Sequence, residues 1–119
     1  MRKFASEFIG TAILLMAIVG SGIMAQNLAK DVGIQLLINT FSIIFALYIL
    51  ITVLAPISGA HFNPVVTLYR RFEKNISNQD LFSYIFAQIT GGVLGVILAN
   101  VMFGRNAIEL STKIGRAHV

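Results

Sequence analysis

The residues most able to do chemistry form one stretch of ten, Ser58-Gly-Ala-His-Phe-Asn-Pro-Val-Val-Thr67. Asn63 is a preferred helix N-cap, and Pro64 suits the first position of a helix, where its missing backbone N–H leaves nothing unpaired. Gly59 permits the tight bend that leads in. The stretch therefore predicts a short helix that begins with an amide side chain and the positive end of a helix dipole. Such groups exchange hydrogen bonds with neutral molecules and disfavour cations, without any covalent step.

The segment that carries this stretch has no charged side chain from residue 32 to residue 69. It is too long for one crossing of a bilayer and too short for two. Pro56, Gly59 and Pro64 are expected to interrupt it where a single crossing would end. We expect one full span and then a loop that dips back, with a helix from Pro64 to Arg70 that rises only about 10 Å. The N-terminus of that helix would lie at mid-membrane depth.

The composition is typical of a membrane protein. Of the 119 residues, 56% are hydrophobic and 12% are charged, whereas soluble domains average about 25% charged. The chain has no Cys, which excludes disulfides and thiol chemistry. Its net charge of +4 does not indicate a nucleic-acid partner, because the basic residues flank apolar segments and form no stripe.

The first apolar run, from residue 4 to residue 24, follows Arg2 and Lys3 and is long enough to span a membrane. A signal peptide also begins with basic residues and an apolar core, and Ala25 offers a small residue for cleavage. The run is long for such a core, and Glu7 interrupts its start. A retained first helix is therefore the favoured interpretation.

Two further spans are expected at about 34–54 and 81–103. Residues 1–103 are thus expected to form one membrane domain, followed by a polar tail, 104–119. The last six residues, 114–119, look like the translation of a common sequencing-library adapter. We therefore expect the natural chain to be longer and these six residues to be an artefact.

The charges of the loops predict an orientation. Five basic residues lie on one side of the membrane and four on the other: Arg2, Lys3, Arg70, Arg71 and Lys74 against Lys30, Arg105, Lys113 and Arg116. The last two lie furthest from the spans, which strengthens the bias. The positive-inside rule then places the N-terminus and the dipping loop in the cytoplasm, in a multi-pass protein of the plasma or inner membrane.

The stretch 58–67 resembles the first pore-loop signature of the aquaporin and aquaglyceroporin (major intrinsic protein) family, with Val65 where the family usually has Ala. Two supporting matches have the family's spacing, Ser6-Glu-Phe-Ile-Gly-Thr11 in the first span and Gln88-x-x-Gly-x-x-x-Gly95 in the third. The resemblance covers roughly residues 4–103. It implies an all-α membrane protein with three transmembrane helices plus one re-entrant half-helix, one inverted-repeat half of the aquaporin fold.

The resemblance implies a passive channel. Asn63 would donate its amide to a passing water or hydroxyl oxygen, and Gly59, Ala60 and His61 would offer backbone carbonyls as acceptors. Such a lining replaces the hydrogen bonds that a neutral permeant loses, but not the hydration shell of an ion. The larger side chain of Val65 could shift Asn63 or change the width of the pore.

Ile43, counted back from Asn63, falls where the family places the second-helix member of its narrow selectivity ring. Water-selective members tend to carry Phe there and glycerol conductors Trp, so an aliphatic residue departs from both. It favours a pore wider than water requires, for glycerol-like solutes, urea or neutral metalloid acids. The alternative is that Ile43 is one more apolar packing residue.

Glu7 is the only acid inside an apolar segment, where an ionisable side chain is costly unless it has a partner. In one interpretation the helix dipole stabilises this carboxylate, which reaches towards the interface. The resemblance implies another, in which Glu7 accepts hydrogen bonds from the re-entrant loop near His61. The second is favoured, because irregular backbone at membrane depth needs acceptors. Gln88, a polar residue in a span, is expected to brace the same loop.

The sequence contains no cluster of metal ligands or triad elements that would indicate an enzyme, and the resemblance implies no cofactor or metal. The family fold pairs two inverted halves, and only the first is present here. This chain is therefore not expected to enclose a selective channel without the missing C-terminal half. The resemblance alone implies that the full-length protein is a homo-tetramer. The alternative is a non-conducting three-span fragment or assembly subunit, whose polar residues serve helix packing.

Overall fold

Residues 1–104 are described by this computed structural model, and they form four helices: α1 (Arg2–Leu28), α2 (Val32–Ser58), α3 (Pro64–Phe72) and α4 (Asn78–Met102). The three long helices are apolar and long enough to cross a membrane. No strand occurs within the described range. The predicted fold class, three transmembrane helices plus one re-entrant half-helix, is confirmed. Of the predicted tail, 104–119, the structure describes Gly104, and the rest, with the adapter-like segment 114–119, lies outside the described residues.

The long helices extend further than the apolar runs that predicted them. α2 begins directly after Asp31, whose carboxylate accepts a hydrogen bond from Ile34 N at 3.1 Å. α4 begins after Ser77, whose hydroxyl accepts one from Asp80 N at 3.1 Å. Polar N-caps of this kind start a helix before its apolar part. Hydropathy marks the part of a helix that suits lipid, and so it underestimates the length.

Of the three expected interruptions, Pro56 is not one. α2 continues through Pro56 to Ser58 and ends at Gly59, which has a φ of 87° and donates its N–H to Ala55 O at 2.8 Å. A proline in the last turn removes one backbone hydrogen bond without stopping the chain, whereas a residue in the left-handed region ends the helix. Gly59 therefore sets the point where the loop turns.

The central helix is α1, because it packs on both α2 and α4. Its contact with α4 is close. A Cβ placed on Gly91 would lie 2.3 Å from Phe8 O, and one on Gly95 would lie 2.3 Å from Ala12 O. Small residues at this spacing let two backbones touch in lipid. The loop between α2 and α3 is mounted on this closely packed pair.

The short helix α3 starts part-way along the length of the bundle. Its nine residues span about 13 Å, and it packs against α4. The loop before it meets α1 where the Phe62 ring lies on Gly10, eight residues and about 12 Å from the start of α1 at Arg2. At the other end, Arg71 Nε donates to Asn78 Oδ1 at the start of α4. α3 thus runs from a level part-way along the bundle to the level of the helix ends.

The helix α2 is the most exposed of the three long helices. It packs mainly on α1, and large apolar side chains such as Phe41, Phe45 and Tyr48 face outward. A soluble domain rarely exposes a continuous apolar surface of this size, but lipid or neighbouring helices cover one in a bilayer. The chain is a membrane protein.

Candidate functional site

Asn63 begins α3 as an N-cap, in the extended conformation with a φ of −154°. Its Oδ1 accepts a hydrogen bond from Val65 N at 2.8 Å, and Pro64 occupies the first helical position. This bond fixes the orientation of the side-chain amide. The Nδ2 group of Asn63 is in no hydrogen bond within the described part of the chain, so its N–H groups remain available as donors.

The backbone of residues 59–62 is divided into two kinds of polar group. Each of its four N–H groups has a partner in the chain, which is, in order, Ala55 O, Ser58 Oγ, Glu7 Oε2 and Glu7 Oε1. The four carbonyl oxygens accept no hydrogen bond from any residue that the structure describes. The loop therefore directs its donors into the protein and leaves a row of acceptors free.

Two non-glycine residues of this loop have left-handed backbones. Ala60 and Phe62 each have a φ of 54°, a region that residues with a Cβ adopt rarely. They flank His61, and Phe62 directly precedes Asn63. Strain of this kind persists only when the surrounding contacts over-determine the conformation. The hydrogen bonds from His61 N and Phe62 N to Glu7 are among the contacts that hold this backbone conformation.

Glu7 is fully buried, with none of its surface exposed. Its carboxylate accepts four hydrogen bonds, two on each oxygen: from Ser58 Oγ at 2.6 Å, His61 N at 3.1 Å, Phe62 N at 2.9 Å and Gln88 Nε2 at 2.8 Å. A buried carboxylate needs such partners. Two of the four donors are loop N–H groups, so the structure brings Glu7 and the loop together; that Glu7 holds the loop stays a prediction.

Gln88 connects three helices through its side-chain amide. Its Nε2 donates to Glu7 Oε1 in α1 and to Thr67 Oγ1 in α3, at 2.8 and 2.9 Å, from a buried position in α4. With both N–H bonds used, the orientation of the amide is fixed. The structure therefore places Gln88 between Glu7 and Thr67, and the expectation that it braces the loop stays a prediction.

Thr67 belongs to the same cluster, although the sequence assigned it no role. It is fully buried in α3, where its Oγ1 also lies 3.0 Å from His61 Nδ1 and donates to Asn63 O at 3.3 Å. One signal could have indicated this, because a residue four positions after an N-cap lies directly above it on the helix.

Tyr84 and Ser58 were also missed. The hydroxyl of Tyr84 donates to Ser58 O at 2.6 Å, and its ring centroid lies 4.9 Å from that of His61. The hydroxyl of Ser58 in turn lies 2.9 Å from that of Ser6. Tyr84 precedes Gln88 by four residues and so shares its helix face, which is the signal that the sequence offered.

Two of the expected pore residues do not join this cluster. Ile43 is half-buried in α2, fifteen residues and about 22 Å along the helix from Ser58. One turn before it, Asn39 Nδ2 donates to Ile18 O and Ser21 Oγ, both at 2.9 Å, and so ties α2 to α1 near that level. Val65 is 70% exposed.

The chain has detectable relatives. The family model described as Major intrinsic protein matches residues 1–118. Aquaglyceroporin AqpS of Rhizobium meliloti (strain 1021) is 39% identical over 113 residues, which are 95% of this chain and 48% of that protein. An Aquaglyceroporin of Toxoplasma gondii is 34% identical over 107 residues (88% and 37%), and Probable aquaporin TIP-type RB7-5A of Nicotiana tabacum is 33% identical over 101 (82% and 40%). The chain thus spans about half or less of the length of these curated relatives. No solved structure matches it significantly.

Proposed function

The chain belongs to the major intrinsic protein family, and on that premise we propose that its Asn63 loop and α3 line one half of a passive channel for small uncharged solutes. One observation carries the proposal. The backbone donors of residues 59–62 are all bonded inside the protein, while their carbonyls and the Nδ2 of Asn63 have no partner within residues 1–104.

The proposed mechanism is an exchange of hydrogen bonds. A neutral permeant gives up hydrogen bonds to water when it enters, and the free carbonyls and the Asn63 amide replace them. A cation finds no equivalent of its hydration shell, and the positive end of the α3 dipole disfavours it. The Asn63 amide also orients the water molecules that pass through the pore in single file, so that protons are not passed from one water molecule to the next. No covalent step, cofactor or metal is needed.

We further propose a pore wider than water requires. An aliphatic Ile43 in the selectivity ring would leave more space than an aromatic residue. The hydrogen bonds from Asn39, one turn away, to α1 would keep α2 in place. Two of the relatives are named as aquaglyceroporins, which supports this width. Solutes of the size of glycerol, urea or neutral metalloid acids would then pass.

A closed pore of this design needs a second half-helix opposite α3, and residues 1–104 contain a single one. We propose that a second inverted half supplies it, and that the full-length gene encodes this half after the codon for residue 113. We also propose that four such full-length proteins assemble into a tetramer. The contiguous genomic locus would then encode a second Asn-Pro-Ala followed by Arg. A stop codon directly after the present residues would contradict the proposal.

The experiment that tests conduction uses the full-length protein in proteoliposomes. Osmotic shrinkage followed by re-swelling in glycerol or urea is expected, and shrinkage without solute uptake would remove the wider pore. Asn63→Leu should reduce both fluxes at least about tenfold, because the central donor is lost. The matched control is Asn27→Leu, at an exposed position at the end of α1.

The alternative function is that of a non-conducting membrane subunit. One observation favours it. Gln88 donates to Glu7 and Thr67, and Tyr84 donates to Ser58 O, so these polar side chains are bonded inside the protein and could serve packing alone. In that case Asn63→Leu would leave the flux of the proteoliposomes at the level of the unsubstituted protein, since packing tolerates an apolar side chain.

A further inference from the structure

The ring of Phe62 occupies the space that a side chain on Gly10 would need. A Cβ built on Gly10 would lie 2.1 Å from Phe62 Cε1 and 2.6 Å from Phe62 Cζ. The ring is almost completely buried, with 5% of the residue exposed. The absent side chain of Gly10 thus forms a socket on α1, and the ring of a loop residue fills it.

The socket and the carboxylate act on the same loop residue. Glu7 and Gly10 are three positions apart, so they lie next to each other on one face of α1. Glu7 Oε1 accepts the N–H of Phe62 at 2.9 Å, and Gly10 receives its ring. One turn of α1 therefore holds Phe62 by its backbone and by its side chain at once.

A second contact is needed because a carboxylate alone does not select a register. It accepts from the N–H of His61 as readily as from that of Phe62, and a loop shifted by one residue would still present it with two donors. A shifted loop would, however, bring His61 or Asn63 to the socket. Only the ring in its present position fills the space.

The backbone conformation of Phe62 also indicates that contacts hold this residue in its register. Its φ of 54° is disfavoured for a residue with a side chain, so it would relax unless contacts held it. The next residue is Asn63, whose side chain begins α3. Any relaxation at Phe62 is therefore passed directly to the Asn63 amide.

We propose that Phe62 is a positioning residue, and that its ring in the Gly10 socket sets the register of the loop and hence the depth of the Asn63 amide. The consequence for permeation rests on the proposed function, since it assumes that Asn63 serves a permeant. The placement of the loop does not rest on it and can be measured without any solute flux.

The test uses the absence of Cys from the chain. A single Val65→Cys reporter, two residues after Asn63 and at a 70% exposed position, is introduced into the whole chain in liposomes. Its rate of reaction with a thiol-reactive maleimide reports the environment of the loop. A second reporter, Ala99→Cys, lies in the packed cluster with Val19 and Ile23 and reports loosening of the whole bundle.

The decisive comparison is a double-mutant cycle. Gly10→Ala should change the rate at the position-65 reporter by about fivefold or more while Phe62 is present, because the ring must leave the socket. It should change the rate less than about twofold when Phe62→Ala is also present, because nothing then occupies the socket. The control Gly92→Ala, whose Cβ would lie 3.7 Å from Thr11 Cγ2, should leave both reporters unchanged.

Three results would overturn the proposal. One is an effect of Gly10→Ala that is equal with and without the Phe62 ring. Another is a parallel change at the position-99 reporter, which would indicate general unfolding. If Gly10→Ala prevents accumulation in the membrane, the same cycle is measured by yield: recovery by Phe62→Ala supports the proposal, and failure to recover overturns it. Solute flux enters none of these results, so they are distinct from a failure of the proposed channel.

Discussion

At the scale of single residues, Glu7 is the central acceptor of a buried hydrogen-bonded cluster. Its other members are Ser58, Thr67, Tyr84 and Gln88. The carboxylate of Glu7 takes two donors on each oxygen in a fully buried position. Glu7→Gln would turn an NH₂ group towards two of these donors and leave them unpaired. We expect the free energy of unfolding, measured by denaturation in detergent, to fall by about 2–4 kcal/mol.

The matched control for that substitution is Glu73→Gln. Glu73 is exposed, and its Oε1 lies 3.8 Å from Arg70 Nη1. Surface ion pairs of this kind contribute little to the free energy of unfolding. The replacement of Glu73 should change the free energy of unfolding by less than about 0.5 kcal/mol. Similar losses for the two substitutions would contradict the role given to the buried carboxylate.

Thr67 offers a second test, because valine has nearly its shape without its hydroxyl. Thr67→Val would leave one N–H of Gln88 and the ring nitrogen of His61 without a partner. We expect a loss of about 1–3 kcal/mol in the free energy of unfolding. Thr90→Val is the control, since the Thr90 hydroxyl donates, within residues 1–104, only to carbonyls of its own helix. Equal losses for Thr67→Val and Thr90→Val would contradict a stabilising role of the Thr67 hydroxyl in the buried cluster.

The residue scale also shows where sequence reasoning ends. Hydrogen bonds from the loop to Glu7 were expected and are present in the structure, whereas Gln88 donates to Glu7 in α1 and to Thr67 in α3. That these residues brace the loop and serve permeation stays a prediction. Thr67 and Tyr84 were missed because their contacts depend on how α3 and α4 are rotated about their axes. The spacing within one helix does not fix the rotation of that helix against another.

At the scale of the elements, the bundle depends on the close approach of α1 and α4. Gly91→Ala or Gly95→Ala would place a Cβ 2.3 Å from a carbonyl oxygen of α1. The helices must then separate, and we expect a loss of about 1–3 kcal/mol in the free energy of unfolding. Gly20→Ala should be tolerated, because its Cβ would lie 3.5 Å from Phe103. A loss of the same size there would contradict the explanation.

The elements were largely predictable because their main signal is local. Hydropathy identified the three spans, and the Asn-Pro pair identified the start of α3. The errors lie at the ends. α3 continues past Arg70 to Phe72, since basic residues favour the last turn of a helix, and α2 continues through Pro56. The return of the loop onto Gly10 could not be derived from local sequence, because it depends on contacts between distant residues.

At the scale of the whole molecule, exposed charge is divided unequally between the two ends of the bundle. Within residues 1–104, one end carries five basic and two acidic side chains: Arg2, Lys3, Arg70, Arg71, Lys74, Glu73 and Asp80. The start of α1 and the start of α4 share this end, since Lys3 Nζ lies 3.6 Å from Asp80 Oδ2. The connection between α1 and α2 carries only Lys30 and Asp31. This asymmetry supports an orientation with the basic end in the cytoplasm.

The orientation and the return of α3 can be tested together with single cysteines in the cysteine-free chain. Leu28→Cys and Phe72→Cys replace side chains that are 70% and 85% exposed at opposite ends of the bundle. A membrane-impermeant maleimide added to intact cells should label only Leu28→Cys, because α3 begins part-way along the bundle and returns to its basic end. Permeabilised cells should label both. Labelling of Phe72→Cys alone would mean the reverse orientation. Labelling of both in intact cells would mean that the segment after α2 crosses the bilayer, and a helix that crosses could not hold Asn63 at half depth.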